Sequence, residues 1–232
     1  MEMSAAAPPA EGDAAYAFEY DYRGFTCAVR HKPAAPGFEG AAPILLIHPI
    51  GIGLDSWFWG KFIDAWVGAE LFAPDLIGCG ASSAWDPSAQ GLFVPLDWSR
   101  QLETLWRERI GPERPMHVVC QGGVAPIAAL LASRQCDLWD GPKAVRSVIL
   151  TSPPPWDEIS GGISDSTSVE RNFEFFSSPL GTLSYRLLRT TGFVRFFSDL
   201  FLFDANCDDE WLRRCVGGAT LAARWPVFAF NS

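Results

Sequence analysis

Four short apolar runs constrain this chain more than any other feature. ILLI at 44–47, AELFAPDLIG at 69–78, MHVVC at 116–120 and VRSVILTS at 145–152 are each followed or preceded by a stretch of helical periodicity. ILLI and AELFAPDLIG are nearly continuous in apolar residues, which suits strands buried on both faces rather than one. Between them, DSWFWGKFIDAWV predicts a helix with Trp57, Phe58, Phe62, Ile63 and Trp66 on one broad face. WSRQLETLWRERI repeats the pattern with Trp98, Leu102, Leu105, Trp106 and Ile110, and VAPIAALLASRQ predicts a third helix. Strands alternating with helices of this length require crossover connections, so the fold class is α/β, with a mainly parallel sheet covered by helices on both faces. Upstream, AYAFEYDYRGFTCAVRHK alternates apolar and polar residues on both sides of Arg23-Gly24, the period-2 signature of a hairpin.

The texture changes after Pro155. Residues 156–232 contain no clear strand and read as short aromatic-rich helices broken by Gly and Pro, a cap over the core at 16–155. The Ala/Pro-rich residues 1–15 read as a disordered leader, without the apolar stretch of a secretory signal or the arginines of a transit peptide. With 48% hydrophobic and 19% charged residues the chain has ample material for a core. A net charge of −9 and no Lys/Arg block exclude nucleic acid as a natural partner and weigh against an anionic membrane. The uncharged stretch from Pro115 to Ser133 carries His117, Gln121, Gly122, Gly123 and Pro126, so strand, turn and helix account for it and no membrane span is expected. Six cysteines without a C-x-x-C or a metal-binding His spacing read as reduced thiols of a cytoplasmic protein, and neither metal nor cofactor is expected.

ILLIHPIGIGLDSW, LFAPDLIGCGASS and MHVVCQGGVAPIAALL each place a loop just beyond the C-terminal end of an expected strand, where open α/β sheets put their sites. Together they resemble the α/β-hydrolase family. The first resembles its strand, His-containing oxyanion loop and following helix. The second carries a Pro-Asp-x-x-Gly-x-Gly-x-Ser loop as Pro74, Asp75, Gly78, Gly80 and Ser82. The third stands where the nucleophile elbow belongs. The resemblance runs from about Phe18 to Ser232, makes the region after Pro155 the cap, and implies two further core strands beyond the end of this sequence.

The same resemblance exposes what is missing. Laid on the family's Gly-x-Ser-x-Gly, the elbow has Gly122 at the nucleophile, and glycine tolerates that turn's strained backbone while offering no hydroxyl. Cys120 is no substitute, because it falls two residues earlier within the strand, where its side chain packs. The family places acid and histidine after the nucleophile, yet His31, His48 and His117 all precede Gly122. His48 matches a structural oxyanion-loop histidine, His117 begins a buried strand, and His31 is expected to be solvated. What the resemblance leaves is an anion-stabilising half: backbone N–H groups of Ile50 and Gly123, with Gln121, Gly122 and Ser152 around the floor of a pocket. Phenylalanines between Phe173 and Phe203 would roof it. The expected function is therefore a degenerate hydrolase-like protein that binds a small apolar carbonyl or carboxylate ligand beneath the cap. The alternative is hydrolysis of an ester, amide or epoxide by an atypical arrangement using Asp75 or His48. Association through an uncovered sheet edge at Val145–Thr151 is a further expectation.

Overall fold

The computed structural model describes residues 16–137, 143–155 and 166–230. The expected leader at 1–15, and the parts of the expected cap at 156–165 and 231–232, lie outside the described residues. Strands β1 (Tyr16–Tyr22) and β2 (Phe25–Lys32) form the expected hairpin. Arg23 (φ 55°) and Gly24 (φ 84°) both take the left-handed conformation that a two-residue turn between right-twisted strands requires. Strands β3 (Ile44–Ile47), β4 (Leu71–Pro74), β5 (Met116–Gln121) and β6 (Val145–Thr151) complete a six-stranded sheet of order β1-β2-β4-β3-β5-β6. β1, β2 and β4 pair antiparallel, whereas β4, β3, β5 and β6 run parallel. From β3 the chain passes to β4 on one side and then to β5 on the other. The order thus reverses at β3, which opens a crevice at the C-terminal ends of β3 and β5.

Successive strand residues face opposite sides, and both sides are apolar. Leu45 and Ile47 join one core cluster with Met116, Val118 and Cys120, while Leu46 joins another with Leu71 and Ala73. The larger cluster is closed by helix α2 (Leu96–Leu105) and helix α3 (Ala125–Asp137). All five apolar residues expected on the face of WSRQLETLWRERI are buried, the last two in a π-helical turn at Trp106–Ile110. The other side is covered by a 3-10 turn at Ser56–Trp59 and the short helix α1 (Gly60–Ala65). α1 is shorter than the sequence pattern predicts: Trp66 leaves the helix and donates its indole N–H to Ala69 O at 2.9 Å, turning the chain into β4 and leaving Phe62 exposed.

Beyond β6 the described residues are helical: α4 (Ser166–Ser177), α5 (Pro179–Leu188), α6 (Thr191–Phe201), α7 (Asp209–Gly218) and α8 (Arg224–Phe230). α8 returns to the main core, where Trp225 and Phe228 are buried and Trp225 stacks on Phe173 at 5.6 Å.

Candidate ligand cavity

The loop after β3 and the turn after β5 meet at the crevice. His48 is fully buried, its Nδ1–H donating to Pro49 O at 2.9 Å and its Nε2 accepting the Leu76 N–H at 3.0 Å. Burial holds its pKa below the ordinary value, against the opposing pull of Asp75, and with both ring nitrogens committed it fixes the loop rather than meeting the cavity. Asp75 is likewise buried and committed. Its carboxylate accepts from Tyr16 Oη (2.6 Å), Ser56 N (2.8 Å) and Ala81 N (2.8 Å), which ties β1 and two loops together. Gly80 is required beside it, because a Cβ there would stand 2.1 Å from Asp75 Oδ2.

After β5 the chain turns through a 3-10 segment, Gly122–Val124, into α3. Gly122 adopts φ 68°, and a Cβ on it would meet no heavy atom within 4 Å. The turn therefore has the strained backbone expected of it, with open space where a side chain would project. Among the described residues, no acceptor takes the N–H of Ile50 or that of Gly123. The Thr151 hydroxyl lies 3.1 Å from Cys120 O and also contacts Gln121 Oε1, so the Gln121 amide oxygen is engaged and its NH2 group is left to donate elsewhere.

Ile50, Gln121, Gly122 and Gly123 line one cavity of about 990 Å3, closed on the cap side by Leu188, Val194, Phe197, Ser198, Phe203 and Trp211. Ser152 does not join them. It is exposed, with φ 46° at the end of β6, and is absent from the lining. Of the aromatic residues expected in the roof, Phe197 and Phe203 are there, but Phe173 and Phe176 pack against Trp225 and Phe228 in the main core. Cys120 is buried within β5, and burial pushes its thiol up to about 11, so it is inert at neutral pH. His31 departs from expectation: it is part-buried, bonded to Glu70 Oε1 at 2.7 Å and packed on Phe72, because β2 lies inside the sheet rather than at its edge. His117 is held by Ser147 Oγ at 2.7 Å, away from the cavity.

No protein-family model and no curated protein matches the chain. Solved structures do. A haloalkane dehalogenase, DatA from Agrobacterium tumefaciens C58, is 21% identical with a TM-score of 0.59 over 92% of this chain and 66% of its own. An alpha/beta hydrolase fold protein from Burkholderia ambifaria is 14% identical, with a TM-score of 0.60 over 94% of this chain and 72% of its own. A loop variant of a haloalkane dehalogenase from Bradyrhizobium elkanii is 22% identical, with a TM-score of 0.58 over 92% of this chain and 67% of its own. The chain has the α/β-hydrolase fold. It spans about two thirds of the length of the Agrobacterium enzyme.

The loop after β3 packs against the helices that follow β6. Leu54, Val194, Cys207, Leu212 and Cys215 make a separate buried cluster, and Trp57 meets Trp211 edge-on at 5.2 Å. The contact is close enough to exclude side chains, since a Cβ on Gly53 would stand 1.8 Å from Cys215 O. No local sequence pattern marks these residues at the cavity, because Trp57 and Trp211 are separated in the chain by the whole parallel core. At the cavity's outer rim, Lys61 faces Asp208 at 3.5 Å and Arg214 faces Glu210 at 3.1 Å.

Proposed function

We propose that this α/β-hydrolase-like chain is non-catalytic and holds a small apolar ligand beneath the cap by its carbonyl or carboxylate group. The observation that carries this reading is Gly122: the elbow's backbone is kept at φ 68° while the cavity receives no side chain from it. Covalent catalysis needs an activated attacking group, and none projects from that position. The binding half is supported by three donors in the lining: Ile50 N–H, Gly123 N–H and the Gln121 amide, all at one end of a largely apolar cavity. Hydrogen bonds to a charged acceptor contribute about 1.5–3 kcal/mol each, enough to orient a carboxylate. Against the hydrolytic alternative stand Asp75 and His48, both buried, hydrogen-bonded and outside the lining.

Two measurements test this. Incubation with a fluorophosphonate probe and with p-nitrophenyl esters gives neither labelling nor turnover above background; stoichiometric labelling abolished by one Ser→Ala change would overturn the non-catalytic reading. Calorimetric titration with matched aryl or alkyl carboxylates and the parent hydrocarbons gives tighter binding of the carboxylates, by about tenfold or more. Equal affinity for both series would remove the donors from the account.

A further inference from the structure

The outer face of α5 and α6 is apolar on a chain whose net charge is −9. Leu180, Leu183 and Leu187 recur along α5, and Phe193, Phe196 and Phe201 along α6, all exposed. Phe196 and Phe201 leave 59% and 69% of their surface in solvent, more than scattered surface residues explain. Phe193, Phe197 and Phe201 stack at 6.2 and 5.9 Å, so the face is an ordered ladder of rings.

Two observations say what fits it. The first is local charge. Residues 179–203 hold Arg186, Arg189 and Arg195 against Asp199, while Asp204, Asp208, Asp209 and Glu210 follow directly, so the positive excess lies at the α5 end of the face, at Arg186 and Arg189. Arg195 is engaged with Asp209 at 2.9 Å, but among the described residues no carboxylate pairs with Arg186 or Arg189, at the end of α5 beside Leu187. Charges act over a Debye length of about 8 Å, so this local excess counts more for docking here than the net −9 that weighed against anionic membranes. The second is continuity with the cavity. Phe197, Leu202 and Phe203 are exposed and also line it, so the apolar face runs into the cavity's rim.

We propose that the α5–α6 face docks on a phospholipid bilayer carrying anionic headgroups. Arg186 and Arg189 meet the phosphates, and the phenylalanine ladder enters the acyl boundary, with the cavity rim turned toward the lipid. Two short amphipathic helices with aromatic and basic residues lie on such a surface rather than crossing it. No helix among the described residues is long and apolar enough to cross a membrane. The proposal stands whether or not the cavity holds a carboxylate.

Co-sedimentation with vesicles of phosphatidylcholine, with and without phosphatidylserine, tests it alongside size-exclusion chromatography of the free protein. The chain is expected to sediment with the phosphatidylserine vesicles. Arg186→Glu with Arg189→Glu should weaken that binding by about tenfold or more, and Phe196→Asp with Phe201→Asp should abolish it. A dye on Leu183→Cys, in an otherwise unaltered chain, should shift its emission to the blue when these vesicles are added; this reading decides the matter if the phenylalanine variant fails to fold. No sedimentation, binding unchanged by either pair of substitutions, or an unshifted dye would overturn the proposal. So would a dimer that the phenylalanine substitutions convert to monomer, since a second copy would then cover the face.

Discussion

On the proposed reading, Gly122 keeps the backbone of a nucleophile turn without its side chain. The turn from β5 into α3 needs a left-handed φ, and 68° is a conformation that an L-residue enters at a cost of about 1–2 kcal/mol. A reactive side chain needs space, and the space is there. Gly122→Ser should therefore fold, lower stability by about 1 kcal/mol, and still turn over no ester, because no histidine lines the cavity to take the hydroxyl proton. Denaturant unfolding and an ester assay on the same preparation check both parts, and turnover dependent on the new serine would refute the second. The pattern around Gly122 was legible in the sequence because an elbow is local, a strand, glycines and a helix in sequence. Ser152 was misplaced for the complementary reason: its position depends on how β6 ends, which no local pattern encodes. His48 makes a pH prediction at the same scale. Its folded pKa is held below 6.5 by burial, so between that value and about 6.5 the unfolded chain binds a proton that the native chain does not. Its contribution is complete above about pH 6.5 and is lost as pH falls, by up to about 1.4 kcal/mol per unit. His48→Asn should lower stability at pH 8 yet flatten the slope just below pH 6.5. An unchanged slope in chemical denaturation across that range would place the effect elsewhere.

Among the elements, the decisive contact is between the loop after β3 and α7. Gly53 (φ 67°) and Gly218 approach so closely that a Cβ on Gly218 would stand 2.7 Å from Gly53 O. This joins Ile50, four residues from Leu54, to the cap cluster of Leu212 and Cys215, so the position of one candidate donor depends on how the cap is seated. Gly53→Ala introduces both a strained backbone and a clash with backbone oxygen, and neither can be relieved by a rotamer change. It should cost more than about 2 kcal/mol and loosen the cap, with faster hydrogen exchange in α7 than in β3 or β5. Uniform exchange across α7 and the strands would mean that the contact carries no such coupling. The strands and helices on either side of this contact follow from periodicity, since each buries a face that its own residues define. The contact itself does not, because Gly53 and Gly218 are separated by most of the chain and their backbone approach leaves no hydrophobic pattern in either segment.

For the whole molecule, the sheet's two ends are treated differently. One face of β1 packs against α2, with Tyr20 and Tyr22 buried and Tyr22 Oη donating to Asp97 Oδ1 at 2.7 Å. β6 pairs only with β5 among the described residues, and Ile149 and Leu150, neighbours on opposite faces, are both exposed. The runs ILLI and VRSVILTS look alike as sequence, yet one is the centre of the sheet and the other its edge. Hydrophobicity selects strands but does not order them; the expectation of an edge at Val145–Thr151 came from the resemblance to a longer fold. An apolar β-branched strand with unpaired backbone groups is a template for pairing with another chain. Ile149→Lys should blunt it: the substitution removes exposed apolar surface, leaves the β5 ladder intact and adds a charge at the edge. The expected outcome is slower growth of light scattering on concentration, with an unaltered circular dichroism spectrum. The α5–α6 face provides the control, because Phe196→Asp should leave edge pairing untouched. If Ile149→Lys has no effect and Phe196→Asp alone suppresses scattering, self-association proceeds through the cap and not through the sheet.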